Sequence, residues 1–286
     1  MALTYEDIKP LFLAELQADA RAMELWAMIE DGTATYAIAS EYAAHVGDAL
    51  ARVLRANAPV EDISEWDIED LIPKSLGLDH QMVAGACQRV QEALNEDAGL
   101  GIRFQAPGFD SSRAYGIVTE LRNNPEFVNI QDTFYDQLVN FSQNVVDEAI
   151  RDNARVLSGA GIESKVIRVA EFRACPWCRA IAGTYDYEDV KATGNDVWRR
   201  HENCRCTIDF VTERNGRRYE ERVNNQRRAN GDTSPASQVA RTEPRRTATT
   251  TMRRLTDEER NLSPEQARAL EEAAQRLAEY RAKHGG

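Results

Sequence analysis

Four of the five cysteines fall between positions 175 and 206. They read Cys175-Pro176-Trp177-Cys178, then 22 residues, then His201-Glu202-Asn203-Cys204-Arg205-Cys206. Thiolates and a neutral imidazole are the donors a tetrahedral zinc ion takes, at about 2.3 Å for sulfur and about 2.0 Å for nitrogen. A Cys-x2-Cys turn lets two thiolates converge on one ion, and Pro176 and Trp177 suit a tight turn between them. His201 with Cys204 or Cys206 can supply the other half. Cys204 and Cys206 are two apart, so on a strand they share a face. Five donors thus compete for four positions. The preferred set is Cys175, Cys178, His201 and one of Cys204 and Cys206; the other is a four-cysteine set that leaves His201 outside the coordination sphere.

A structural zinc fits this donor set best. The segment around it has few apolar residues, so a metal would stabilise it where a core cannot. A catalytic zinc keeps one position open for water and usually has a carboxylate base nearby. Glu202 adjoins His201, but the surplus of cysteine argues for a closed site. A redox role is the second reading, because Cys-Pro-Trp-Cys has the spacing of thioredoxin-like motifs. Those motifs start a long helix, whereas Gly183 follows Cys178 by only five residues. Free thiols without a role are the third. Cys87 stands alone in the pattern Met82-Val83-Cys87-Val90-Leu94 and reads as a small core residue. His45 lies beside apolar positions of a helix and reads as a satisfied histidine, while His80 and His284 sit near a helix start and the C-terminus. The sequence contains no Ser/His/Asp order, Gly-rich phosphate loop or HExxH.

The elements that must position these donors divide into a helical half and a short β-rich segment. Thr4 with Asp7 forms a capping-box pattern, and Ile8, Leu11, Phe12, Leu16, Met23, Trp26 and Met28 continue at helical spacing. Pro10 lies close to the start, where a proline costs less. Asp31-Gly32 breaks the pattern. A second helix is expected over Thr33–Ala56, ended by Asn57 and Pro59. Trp66–Leu71 reads as a short helical turn, and Asp79 as the cap of a helix reaching Ala98. Asp110 or Ser111 starts another helix that stops at Asn123-Asn124-Pro125. A long helix then runs through Ile130, Phe134, Leu138, Phe141, Val145, Ile150 and Val156 and closes at Gly159 and Gly161. From Lys165 the texture changes: Val166, Ile167, Val169 and Phe172 predict a strand, as does Cys204–Val211. Asn224–Arg254 has almost no large apolar residues and is expected to be extended or disordered without a partner. Ser263, Pro264 and Gln266 signal a last helix whose stripe of Ala267, Leu270, Ala273, Ala274, Leu277 and Tyr280 needs a docking surface.

Composition bounds the function. Hydrophobic residues are 42% and charged residues 29% of the 286, ordinary for a globular protein and contrary to global disorder. No apolar run approaches the roughly 20 residues a membrane helix needs, and Met1–Asp7 lacks a signal-peptide layout, so synthesis in the cytoplasm and no membrane partner are expected. The net charge of −12 hides an asymmetry. Glu213–Leu255 holds 11 Arg, no Lys and 5 acids, a net of +6, while the 24 basic and 42 acidic residues elsewhere leave −18. The acidic body argues against wrapping duplex DNA; the basic tail can reach nucleic acid or an acidic neighbour.

The segments Phe172-Arg173-Ala174-Cys175-Pro176-Trp177-Cys178 and His201-Glu202-Asn203-Cys204-Arg205-Cys206-Thr207-Ile208 resemble the Mu F-like group of tailed-phage minor head (head morphogenesis) proteins. That group shows a Cys-x2-Cys, a glycine soon after (here Gly183), and a His-Pro-Asn-Cys-Arg-Cys-like strand. Glu202 stands where proline is usual, which loosens the turn but removes no ligand. The motif covers about 40 residues, and the preceding helical half and polar tail resemble the group's layout. The resemblance implies a minor capsid protein present in few copies, located in the virion at the portal vertex or capsid interior, and acting in head assembly or DNA delivery. Its implied partners are the portal, the major capsid protein and, through the Arg-rich tail, packaged DNA.

The expected fold is mainly α: a helical domain over 1–164, a small zinc-bound α+β module over 165–211, and a basic flexible tail with a terminal helix over 212–286. The expected function is structural, not enzymatic. The alternative is an intracellular zinc-dependent nucleic-acid-binding or regulatory protein, supported by the Arg-rich tail. A nuclease or oxidoreductase comes third.

Overall fold

The computed structural model describes residues 3–57, 63–124, 126–171, 174–192, 194–201, 204–214 and 216. The chain is mainly helical, with a small three-stranded sheet. Six helices come first: α1 (Tyr5–Ala18), α2 (Ala20–Glu30), α3 (Tyr36–Asn57), α4 (Ile68–Asp97), α5 (Ser111–Asn123) and α6 (Gln131–Gly159). Then follow β1 (Ser164–Val169), α7 (Pro176–Ala180), β2 (Gly183–Asp186), α8 (Tyr187–Val190) and β3 (Thr207–Thr212). Helices and sheet belong to one compact unit, Met1–Tyr219. The basic tail and the helix expected from Ser263 lie outside the described residues, as do Phe172, Glu202 and Asn203. Among the described residues, no helix is long and apolar enough to cross a membrane.

The expected first helix is two. Its start holds: the Asp7 carboxylate accepts from the Thr4 backbone N–H at 3.1 Å and from its hydroxyl at 2.7 Å. Asp19 then interrupts the spacing, because its side chain accepts from the N–H groups of Arg21 and Ala22, both at 3.1 Å, and so caps a new helix. The opposite correction applies downstream. The expected turn at Trp66–Leu71 and the helix expected from Asp79 are a single 30-residue helix, α4, capped by Asp67 and carrying Pro73 in its interior. Asp79 is not a cap. It lies fully buried in mid-helix, and the Ser142 hydroxyl of α6 is 2.6 Å from its Oδ2. Tertiary packing overrides both the proline and the capping signal here.

α3 and α6 form the centre of the helical layer and pack closely. Gly47 makes this possible: a Cβ there would stand 2.6 Å from the Val139 Cα and 2.6 Å from the Ser142 Oγ. The layer buries Phe12, Leu25, Leu50, Leu54, Leu71, Val83, Cys87, Leu138 and Ile150, most of them from the predicted stripes. Trp66, Phe127, Phe134 and Tyr135 stack at one end, with ring centroids 5.2–6.2 Å apart.

The sheet runs β2-β1-β3, with β1 central and both pairings antiparallel. β1 stops at Val169 and β3 starts at Thr207, so the strand expected over Cys204–Val211 begins after both cysteines. β2, Gly-Thr-Tyr-Asp, is an edge strand without an apolar alternation, and its sequence carries no strand signal. β3 attaches the sheet to the helices. Phe210 meets Tyr36 edge-on at 6.3 Å, and the buried Asp209 carboxylate accepts the Tyr36 N–H at 3.1 Å, capping the start of α3 from 173 residues away.

Candidate metal centre

The knuckle forms where β1, α7 and the approach to β3 meet. Cys175 is the N-cap of α7: its Sγ accepts the Cys178 N–H at 3.4 Å. This bond places both sulfurs on the same side of one helical turn, and Pro176 at the first position suits the turn's φ. His201 comes back from the other arm with its Nε2 3.3 Å from the Cys175 Sγ and 3.0 Å from the Cys178 Sγ. Cys204 completes the approach at 3.9 Å from the Cys178 Sγ.

Two donor triads result, Cys175–Cys178–His201 and Cys178–Cys204–Cys206. Within each, the ligand atoms lie within 4.8 Å of one another. All five predicted donors are therefore brought together, and Cys178 belongs to both sets. Two sulfurs bound to one tetrahedral zinc stand roughly 3.8 Å apart, since each bond is about 2.3 Å. The 3.9 Å between Cys178 and Cys204 matches that edge. Soft thiolates with an imidazole suit zinc over the hard cations, so the residues present fit the ion.

One side of the site is dry, while Cys175 and His201 are only partly covered. Cys178, Cys204 and Cys206 are buried, together with Ala174, and Ala170, Cys175 and Trp177 pack against them. Trp177 meets the His201 ring edge-on at 5.9 Å. The Cys178 N–H bond draws the Cys175 thiol below its usual range, with help from the nearby His201. Burial pushes Cys178 up. A hydrogen bond from the Cys206 thiol pulls Cys204 down to about 4, aided by the Arg200 and Arg168 charges against the cost of burial. The same bond keeps the proton on Cys206, whose pKa rises.

Three polar fixtures that the sequence reading did not single out hold this arrangement. Arg200 and Asp147 of α6, each 1% exposed, form a bidentate pair at 2.6 and 2.9 Å. Arg200 also donates to the Cys206 carbonyl at 2.8 Å, so α6 grips both ends of the loop that carries His201 and Cys204. Asn140, about two turns earlier on α6, donates to the His201 carbonyl at 3.1 Å. Arg168 rises from β1 into the knuckle itself, 2% exposed. Its signal was present: it occupies an inward position of the β1 alternation, two residues after the buried Val166. A charged residue at such a position needs a partner inside.

Two histidines and the lone cysteine lie elsewhere in the helical layer. The His45 Nδ1 is 2.9 Å from Asp19 Oδ2, and Cys87 is a fully buried core residue, both as expected. His80 sits in mid-α4, half-buried, with Nε2 3.1 Å from the Pro107 carbonyl. Comparison of the chain with family models, curated proteins and solved structures finds no match.

Proposed function

We propose that the chain is a structural protein of a tailed-phage head, of the Mu F-like minor head group, whose knuckle holds one zinc ion in a non-catalytic role. The clustering of Cys175, Cys178, His201, Cys204 and Cys206 in two triads that share Cys178, with the Cys178–Cys204–Cys206 side buried, carries this reading. It joins donors from two arms that are separated by 22 residues in the sequence, in the order in which the Mu F-like motif has them. The closed, cysteine-rich donor set supports a structural ion, because a catalytic zinc keeps a ligand position for water. When bound, the ion ties the α7 turn to the approach of β3. The chain's own residues do the rest: Cys175 orients Cys178 through its N–H, Trp177 shields the His201 ring, and Arg200 anchors the returning arm to α6.

In this reading the chain sits in the virion at the portal vertex or capsid interior. It contacts the portal or major capsid protein, and its Arg-rich tail reaches packaged DNA. The test is quantitative mass spectrometry of purified heads. The expected result is this chain at a few copies per particle, with about one zinc per copy. Its absence from heads, together with DNA binding by the isolated chain, would favour the intracellular nucleic-acid-binding alternative.

A further inference from the structure

We propose that Arg168 is the built-in counter-charge of the metal centre, a positioning residue that fits the knuckle to three thiolates and one histidine and weights it against four thiolates. This inference rests on the zinc reading and deepens it by naming what sets the ligand count.

The guanidinium of Arg168 stands behind the sulfurs, not in solvent. Its Nη2 is 3.6 Å from the Cys204 Sγ and 4.0 Å from the Cys178 Sγ. Its Nη1 donates to the Val197 carbonyl at 2.5 Å, which fixes the direction of the fork. The guanidinium carbon lies 5.8 Å from the Trp177 ring centroid, so the tryptophan between Cys175 and Cys178 walls the group in. The Nε is buried without a hydrogen-bond partner. An arginine held so dry is costly unless an anion compensates it. Among the described residues, the Val197 carbonyl and two sulfurs face it, and no carboxylate pairs with it.

Formal charge then decides between the donor sets. Three thiolates around a divalent ion leave one negative charge, and the Arg168 cation cancels it. Four thiolates leave two, of which Arg168 cancels one, so an uncompensated charge stays buried. Arg200 also faces Cys204, but its ion pair with Asp147 at 2.6 Å offsets its charge in the sum, which leaves Arg168 as the cation without a carboxylate partner among the described ion pairs. Donation to Cys204 and Cys178 also strengthens both as anions. His201 completes the set from the Cys175 side, and Cys206 remains a neighbouring thiol that is no ligand.

The experiment uses the full-length zinc-loaded chain and three versions of it: wild type, Arg168→Lys and Arg168→Gln. Zinc transfer to a chelating dye gives the release rate, and substitution with cobalt gives a visible spectrum that reports the number of thiolate ligands. Wild type should show the three-sulfur, one-nitrogen spectrum. Arg168→Gln should release zinc at least about tenfold faster, and Arg168→Lys should recover most of that loss. Equal loss in both variants would make Arg168 a packing residue and overturn the inference. A four-sulfur spectrum in wild type would overturn it without any variant, should Arg168→Gln fail to fold. Wild type that takes up no zinc would sink the metal reading and this inference together. Wild type that holds zinc while Arg168→Gln releases it at the same rate would sink this inference alone.

Discussion

α3 buries Leu50 and Leu54 in a layer where it packs against α1, α4 and α6, and most of the side chains that α3 buries are apolar. The knuckle, at the far end of the sheet, buries three cysteines, an alanine and an arginine. Apolar area stabilises the first region at roughly 25 cal/mol per Å². The second has too little of it, and its sulfur atoms gain most when a metal gathers them. The two regions share a seam of buried polar contacts: Asp209 to Tyr36, Asn140 to His201, Asp147 to Arg200. The difference teaches that one compact unit can hold an apolar helical layer beside a cluster of side chains suited to a metal ion.

The strongest way to break this comparison is to remove the donor common to both triads. Cys178→Ser should abolish zinc binding and unfold residues 174–206 locally, because structural zinc binding is worth on the order of 10 kcal/mol. The helical layer should keep its circular dichroism. Loss of helix in parallel with zinc would mean that the two regions are one cooperative unit.

The same contrast explains what could be read in advance. The donors were legible because their chemistry lies in residue type and spacing, and the helical layer was legible because its stripes have a 3.6-residue period. Asp79 was read as a cap and the cap at Asp19 was passed over for one reason: an aspartate carries the same local signal whether it caps a helix or lies within one, and only the neighbours decide. β2 gave no signal because an edge strand of four residues needs no apolar face. The seam was invisible for a different reason: Asp147 and Arg200 are 53 positions apart and belong to different elements. Nothing local marks them as partners.

A pH series should pull the two regions in opposite directions. Asp79, buried in the helical layer, is pushed up to about 8 from the usual 3.8 by desolvation. The unfolded chain loses this proton near pH 4 and the native chain only near pH 8, so the unfolded state is favoured as pH rises between them. Stability of the helical layer should fall by about 1.4 kcal/mol per pH unit across that window, about 6 kcal/mol in all, and level off above it. Asp79→Asn should flatten the curve. The knuckle should weaken instead as pH falls, since its thiolates and imidazole must shed protons to hold zinc. Thermal melts of the zinc-loaded chain, with hydrogen exchange to separate the regions, measure both slopes. Slopes of the same sign would end the distinction.

At the seam, Asp147→Asn leaves the Arg200 cation buried at 1% exposure without its anion. Breaking a buried pair in this way costs about 3–5 kcal/mol, a drop in melting temperature of roughly 10 °C for a unit of this size. Because Arg200 also holds the Cys206 carbonyl, zinc release should speed up along with the melt. A variant that melts early but keeps its zinc as firmly as wild type would place the pair in the helical layer alone.

The smallest effect sharpens the comparison most finely, because it separates burial from charge. Arg205 lies between the two cysteines and pairs with Asp48 of α3 at 3.1 Å, so it too joins the knuckle to the helices. Both side chains are 37% exposed. Water screens such a pair, and exposed ion pairs contribute about 0.2–1 kcal/mol. A double-mutant cycle with Arg205→Ala and Asp48→Ala should give a coupling under about 1 kcal/mol that shrinks at high salt, with zinc release changed less than about twofold. Arg200–Asp147 and Arg205–Asp48 join the same two regions through the same kinds of group, and only their access to water differs. A coupling of about 3 kcal/mol at Arg205 would show that charge holds the seam wherever it lies, and the contrast drawn from burial would fail there first.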